Sequence, residues 1–298
     1  MCLEAIRLED WVRVTANLLR LSGIADPLRD ARLLAAAGCG RTVGQILAEP
    51  DHLLTSGDLA RLDRFRQRRA AREPVSRILG RRGFMDLELE ISPDTLDPRA
   101  DTETLVEAVV EILTAEGRHS APLVIADLGT GSGAILIALL RALPGARGLG
   151  IDISQAALDV AVRNAVSAGV QDRAAWSCGD WLDGVLATFD VIASNPPYLP
   201  SEEIKALDPE VALHDPRLAL DGGADGLDAY RAIAAQADRR LNRRGWLFLE
   251  AGAGQAADLM GLVDPVGMAR AAGAVRTFRD LAGHVRCVAK QHHISEER

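Results

Sequence analysis

The chain has 298 residues, with 34 Lys and Arg against 42 Asp and Glu for a formal charge of −8, and it is 48% hydrophobic and 26% charged. That is the composition of a folded chain long enough for about two domains, and it excludes disordered and fibrous classes. The acidic balance argues against a broad duplex-binding face, so no stable nucleic acid partner is expected.

No run approaches the roughly 18 apolar residues of a membrane span. Met1-Cys2-Leu3-Glu4 becomes charged too early for a signal peptide, so the expected location is cytoplasmic, with no membrane partner. Cys2, Cys39, Cys178 and Cys287 lie far apart and form no CxxC, so neither a disulfide framework nor a metal site is expected. In chain order, the first region is helical. Trp11, Val14, Leu18 and Leu21 fall on one helical face and are expected to pack inward. Leu28, Leu33 and Leu34 predict a second helix closing near Gly38 and Gly40. Thr55 with Asp58 reads as an N-cap and supporting acid for a third, striped by Leu59, Leu62 and Phe65 and stopped by Glu73-Pro74. This last helix carries Arg61, Arg64, Arg66, Arg68, Arg69 and Arg72, either a solvated face or a docking surface for an acidic partner or for RNA near one.

From Phe84 to Ile91 apolar residues recur at every second position from Met85, which predicts a strand forming one arm of a hairpin between two domains. Thr102 to Leu113 is predicted helical. Strands are then expected at 124–128, 149–152, 174–178, 189–194 and 245–250, with helices at 132–143, 154–168 and 227–241. Such alternation means an α/β fold with a parallel sheet and right-handed crossovers. Two strand-like pieces between Val275 and Ala289 predict an antiparallel edge hairpin. The resulting division is a helical domain at 1–75, a β-hairpin linker at 76–98 and an α/β domain at 99–298.

Four motifs carry chemistry. Gly129-Thr130-Gly131-Ser132-Gly133, after Asp127-Leu128, sits where the first strand turns into a helix. Glycines there let the backbone approach a ligand, and the helix N-terminus is expected to offer free amides. The spacing GxGxG differs from the dinucleotide GxGxxG, and no Lys-Ser/Thr pair follows to make a triphosphate loop. Asp152 closes the second strand, where a carboxylate can accept hydrogen bonds from both ribose hydroxyls. Asp180-Trp181 follows the third, where an acid can meet an adenine amino group and an indole can cover its face. Asn195-Pro196-Pro197-Tyr198 follows the fourth. The Asn195 side-chain oxygen and the Pro196 carbonyl can both accept from one NH2 group, while Tyr198 offers a flat wall against a planar amide or base. Held in this way, the nitrogen becomes a nucleophile toward an electrophilic methyl.

Together, Asp-Leu-Gly-Thr-Gly-Ser-Gly, Asp152, Gly179-Asp180-Trp181 and Asn-Pro-Pro-Tyr resemble a class I S-adenosylmethionine-dependent methyltransferase acting on a planar-system nitrogen. The flanks Glu73-Pro74, Pro98-Arg99 with Thr102-Glu103-Thr104, and Ala219 to Leu227 resemble the peptide chain release factor N(5)-glutamine methyltransferase family, from about Leu3 to Ala289. The resemblance implies a Rossmann-like, mostly parallel seven-stranded sheet, with 1–75 as substrate-recognition domain. It implies S-adenosyl-L-methionine as cofactor, S-adenosyl-L-homocysteine as product, and the glutamine of the Gly-Gly-Gln motif in class I peptide chain release factors as target, within translation termination. Gly129, Thr130, Gly131, Ser132, Gly133, Asp152, Trp181 and Asn195 would hold the cofactor. Asn195, Pro196, Pro197 and Tyr198 would bind the glutamine, with Asn195, Pro196 and Tyr198 catalytic, no metal, and a monomeric enzyme. Two positions depart from the family pattern: Asp97 before Pro98-Arg99, and Asp215 rather than a glutamate before Pro216. The alternatives are a ribosomal protein glutamine methyltransferase, which shares the catalytic motif, and an adenine-N6 nucleic acid methyltransferase, whose target presents the same planar NH2.

Overall fold

The structure is a computed structural model and describes residues 6–264 and 275–292. Cys2 lies outside the described residues; Cys39, Cys178 and Cys287 are free thiols. The described residues form two compact units, one of residues 6–81 together with Asp208–His214, and the other of the remaining described residues.

The first unit contains α1 (Leu8–Leu21), α2 (Pro27–Gly38), α3 (Val43–Ala48), α4 (Ser56–Ala70) and α5 (Val75–Leu79). Local chemistry sets the starts. Asp26 accepts from the Arg29 amide ahead of Pro27, and Thr42 with Gln45 and Thr55 with Asp58 form reciprocal capping boxes. The buried face of α1 differs from the expected stripe. Leu8, Trp11, Val12, Thr15, Ala16 and Leu19 point inward, whereas Val14 and Leu18 are exposed and Leu21 is 85% exposed. The helix carries two apolar stripes, and the one that includes the small residues Thr15 and Ala16 allows close approach to α2. Nor does proline stop α4, which closes three residues before Glu73 with Arg72 in the left-handed region at φ 71°. The Arg72 amide donates to the Arg69 carbonyl and the Glu73 amide to that of Arg68, so the last turn satisfies its own acceptors.

The arginine run serves the interior of this unit. Arg61 donates to the Gly38 carbonyl, Arg68 to Glu73 and to the Ile78 carbonyl, and Arg72 to the Gly23 carbonyl. Arg69, with 8% of its side chain exposed, joins Asp30 at 2.7 Å and Glu210 at 3.0 Å. Glu210 lies in the short returning segment and also meets Arg72 at 2.6 Å. Removing one partner of a shielded ion pair strands the other charges, so Arg69→Ala should cost this unit about 3 kcal/mol. Urea unfolding followed by hydrogen exchange in α2 and α4 measures it; unchanged protection would contradict the role given to Arg69.

The second unit opens within a two-stranded hairpin, β1 (Arg81–Phe84) and β2 (Leu87–Glu90), which precedes α6 (Ala100–Ala115). The single strand expected from Phe84 to Ile91 is instead broken at Met85, whose φ of 51° makes it part of the turn. The Met85 amide donates to Glu103 of α6 at 2.7 Å. Alternation alone did not expose this break, because Met85 fits the apolar period yet stays exposed. There follow β3 (Val124–Leu128), α7 (Ala134–Ala142), β4 (Arg147–Asp152), α8 (Gln155–Ser167), β5 (Ala174–Cys178) and β6 (Phe189–Ser194). After the short α9 (Pro209–Ala212) of the first unit come α10 (Asp228–Ala237), β7 (Leu241–Glu250), α11 (Ala256–Val263), β8 (Val275–Arg279) and β9 (Val285–Gln291).

The sheet has seven strands in the order β5-β4-β3-β6-β7-β9-β8. Five run parallel, and β9 pairs antiparallel with both β7 and β8. Both faces are buried, as a parallel sheet covered by crossovers requires. Ile125, Val191, Ala193, Trp246 and Phe248 face one cluster with α6 and α7. Ala126, Ile192, Leu247 and Leu249 face another with Tyr230, Ile233 and Leu259 of α10 and α11. Because the chain lays β4 and β5 to one side of β3 and β6 and β7 to the other, the carboxyl ends of these strands open a crevice at the reversal.

Candidate functional site

A cavity of about 340 Å³ lies at those carboxyl ends. Gly129 and Gly131 after β3, Asp152 at the end of β4, Asp180 and Trp181 after β5, and Asn195 and Pro197 after β6 all line it. Ile151, Ile153, Leu96 and Leu218 add apolar wall. Small-molecule sites commonly span roughly 300 to 1,000 Å³ with mostly apolar walls and a few placed polar groups.

The glycine loop adopts left-handed geometry at Gly129 (φ 68°), Gly131 (φ 55°) and Gly133 (φ 82°), a region that disfavours other residues. Four of its five amides bond within the protein, and the expectation of free donors holds only for those that remain, such as that of Ser132. Gly129 and Thr130 donate to the Ile151 carbonyl, Gly131 to Asp152 Oδ2 at 2.8 Å, and Gly133 to the Thr130 carbonyl. The loop is therefore tied to the end of β4. Thr130, Ser132 and Gly133 hold the loop rather than line the cavity. Thr130 Oγ1 donates to Asp127 Oδ2 at 2.6 Å, Ser132 accepts from Asn164 Nδ2 at 2.9 Å, and a Cβ on Gly133 would come within 2.9 Å of Ile137. Asp152 Oδ1 also accepts from the Ser154 amide at 2.9 Å, leaving each carboxylate oxygen a further lone pair. Trp181 sits at φ 50°, in the left-handed region, and its ring would lie 3.5 Å from a Cβ on Gly129. A bulky residue held there costs of order 1 to 2 kcal/mol, which the surroundings offset, and such strain gathers at binding sites.

Asp127 is fully buried behind the loop, with Oδ1 unpaired, and burial lifts its carboxyl to about 7. The hydroxyl of Thr130 and the amide of Leu136 pull the other way. Since the folded value stands above the unfolded one of about 3.9, its contribution to stability is full below that lower value and is lost as pH rises through 7. Asp127→Asn should therefore gain thermal stability relative to the parent between pH 4 and pH 7, and a pH-independent difference in melting temperature would contradict this.

At the end of β6, the Ser194 hydroxyl donates to the Leu128 carbonyl at 2.7 Å and locks the two strand ends together. Asn195 Nδ2 donates to Thr102 Oγ1 of α6 at 3.0 Å. Pro196 is buried, and Tyr198 packs among Leu249, Ala251 and their neighbours, where burial raises its hydroxyl to about 12. Neither Pro196 nor Tyr198 lines the cavity. Gln255 Nε2 holds the Tyr198 carbonyl at 2.9 Å.

A model described as the PrmC N-terminal domain matches residues 10–80, and one described as the methyltransferase small domain matches residues 100–212. A release factor glutamine methyltransferase of Rhodospirillum rubrum is 49% identical over 270 residues, covering 91% of this chain and 80% of that protein. Its namesake in Bradyrhizobium diazoefficiens is 47% identical over 252 residues, covering 85% of this chain and 84% of that protein. The chain belongs to the release factor glutamine methyltransferase family. Its fold is shared with the hMettl16 catalytic domain, solved in complex with MAT2A 3′UTR hairpin 6, at a TM-score of 0.53 and 15% identity over 70% of this chain and 77% of that one.

Within this release factor glutamine methyltransferase family member, the departure at position 215 keeps its chemistry. Asp215 is buried and its Oδ2 accepts from Arg99 Nη2 at 2.6 Å, so a shorter acid still closes the ion pair. Asp97 lies 3.4 Å from Arg82. Sequence reading missed three supports of the site. Asn164 joins the Ser132 carbonyl to both backbone groups of Glu90 in β2. Thr102 receives the Asn195 amide. Glu250, ending β7, is 2% exposed, its Oε2 has no hydrogen-bond partner, and burial lifts it to about 7 against the pull of Thr102, Arg286 and Asn195. An acid closing the otherwise apolar run Trp246-Leu247-Phe248-Leu249 was the available signal.

Proposed function

We propose that this enzyme transfers a methyl group from S-adenosyl-L-methionine to the side-chain amide nitrogen of the glutamine in the Gly-Gly-Gln motif of class I peptide chain release factors, releasing S-adenosyl-L-homocysteine. The observation that carries the reading is one cavity lined at once by Asp152, Trp181 and Asn195, in a chain of this family.

The cavity's residues suit that cofactor. The amides of Gly129, Thr130, Gly131 and Gly133 are already bonded, and a ligand without phosphates asks nothing more of them. Asp152 retains acceptor capacity for ribose hydroxyls, and Trp181 with Ile151 and Ile153 gives apolar walls for a base. A Cβ on Gly131 would meet no atom within 4 Å, so the loop leaves this space free. Bound there, the cofactor supplies an electrophilic methyl on a sulfonium sulfur. The chain then has to hold the glutamine amide. In this reading Asn195 and the Pro196 carbonyl accept its two N–H hydrogens, Pro197, which lines the cavity, bounds the side chain, and Pro196 and Tyr198 act from just beyond the cavity lining. Positioning a weak nucleophile is where such a site gains most, since effective molarities of about 10⁵ M or more are reached without a strong base.

The enzyme acts in the cytoplasm as a monomer, with the helical N-terminal unit recognising the factor. Among the described residues no helix is long and apolar enough to cross a membrane. To test the reading, a class I release factor, a ribosomal protein carrying a methylatable glutamine and an adenine-containing RNA are offered in parallel. Mass spectrometry should find one added methyl on the release factor peptide alone; methyl on either other substrate in its place would replace the reading.

A further inference from the structure

Thr102 and Glu250 are far apart in the sequence, yet both side chains are buried beside Asn195, at 4% and 2% exposure. Thr102 Oγ1 accepts from Asn195 Nδ2 at 3.0 Å, and the Glu250 carboxylate faces the Thr102 hydroxyl and the Asn195 amide. The Glu250 backbone is held in turn, since its carbonyl accepts from Tyr230 Oη at 2.8 Å. An ionised carboxylate can only accept hydrogen bonds, whereas a hydroxyl donates one and accepts others. The Thr102 lone pairs accept from Asn195, and Glu250, whose buried Oε2 has no hydrogen-bond partner, is the neighbouring acceptor toward which the Thr102 O–H can turn. The NH2 end of the Asn195 amide is thereby committed, and its oxygen is the end left for the cavity.

We propose that Thr102 and Glu250 are positioning residues that form a polarity relay, fixing the Asn195 side-chain amide so that it presents its oxygen to the substrate NH2. This rests on the reading in which Asn195 receives the glutamine amide. A reversed amide would meet the substrate donor to donor. Protonating Glu250 lets its own O–H donate to Thr102, which can then turn and release the Asn195 NH2. Burial puts that protonation near 7. The groups facing Glu250 are Asp101 of α6, which raises its affinity for a proton, and Arg286 of β9, which lowers it, with Tyr198, Tyr230 and Cys287 also adjacent.

Two measurements on the full chain decide the proposal. In the first, steady-state methylation of a release factor is compared for the parent, Thr102→Val, Thr102→Ser and Glu250→Gln. Thr102→Val should lose about 30-fold or more in kcat with cofactor affinity held within about twofold, and Thr102→Ser should restore most of the loss, since small misplacements of a positioning group cost up to about 100-fold. The parent kcat should fall as pH drops below about 7, and Glu250→Gln, which keeps an acceptor oxygen but cannot titrate, should lack that acid limb. In the second, the protein is labelled with ¹⁵N-asparagine and the Asn195 side-chain NH2 signal, assigned by its loss in Asn195→Asp, is followed with pH. It should titrate in the parent with a midpoint near 7 and stay fixed in Glu250→Gln. Full kcat in Thr102→Val, or an Asn195 signal that behaves alike in the parent and Glu250→Gln, overturns the relay. Absent methylation by the parent counts instead against the functional reading, and the spectroscopic titration then judges the relay alone.

Discussion

Asn195→Ala is expected to lower kcat for methyl transfer by about 100-fold to 1,000-fold, the range seen when one preorganised hydrogen-bonding group is removed from a reacting centre. Cofactor affinity should stay within about threefold, because Asp152, Trp181 and the glycine loop are untouched and lie on other strands. The variant should remain folded. Asn195 is only partly buried, and its removal leaves the Thr102 hydroxyl beside Glu250. Loss confined to kcat would identify a group that acts on the reacting amide; a loss confined to cofactor binding would assign Asn195 to the cofactor. Rapid-quench single turnovers with both substrates saturating separate the two, and turnover near the parent's would contradict the role altogether.

Asp152→Ala should instead weaken cofactor binding by about 100-fold, with kcat at saturating cofactor changed far less. Two effects add. Each hydrogen bond from a ribose hydroxyl to a charged acceptor is worth roughly 1.5 to 3 kcal/mol. Asp152 also anchors the Gly131 and Ser154 amides, so its loss frees the glycine loop at one end and the start of α8 at the other. Asp152→Asn, which keeps one acceptor oxygen, should fall between the two proteins. Titration calorimetry reads both, and unaltered affinity in Asp152→Ala would remove Asp152 from the site.

The site was legible in the sequence to the extent that its parts sit at strand ends. Each ligand-facing motif follows an apolar run of parallel strand, so the strand prediction alone gathers Gly129, Asp152, Trp181 and Asn195 at one edge of the sheet. Chain order cannot show what crosses between elements. Thr102 and Glu250 meet Asn195 only because α6 packs over the sheet near the end of β7, and Asn164 reaches the loop from α8. Periodicity misled where two registers fit equally well. In α1 either stripe could be buried, and at Met85 an apolar residue in phase with a strand occupies a turn. The arginine run failed differently, because apart from the nearby Glu73 its acceptors include distant backbone carbonyls, Asp30 and Glu210, which no local pattern connects to α4.

The most direct measurement incubates the enzyme with methyl-labelled S-adenosyl-L-methionine and two purified forms of a class I release factor, one natural and one with the Gly-Gly-Gln glutamine changed to another residue. Label should enter the natural factor and be absent from the altered one. Label appearing equally in both would show that the enzyme methylates some other residue, and label in neither would contradict release factor methylation outright.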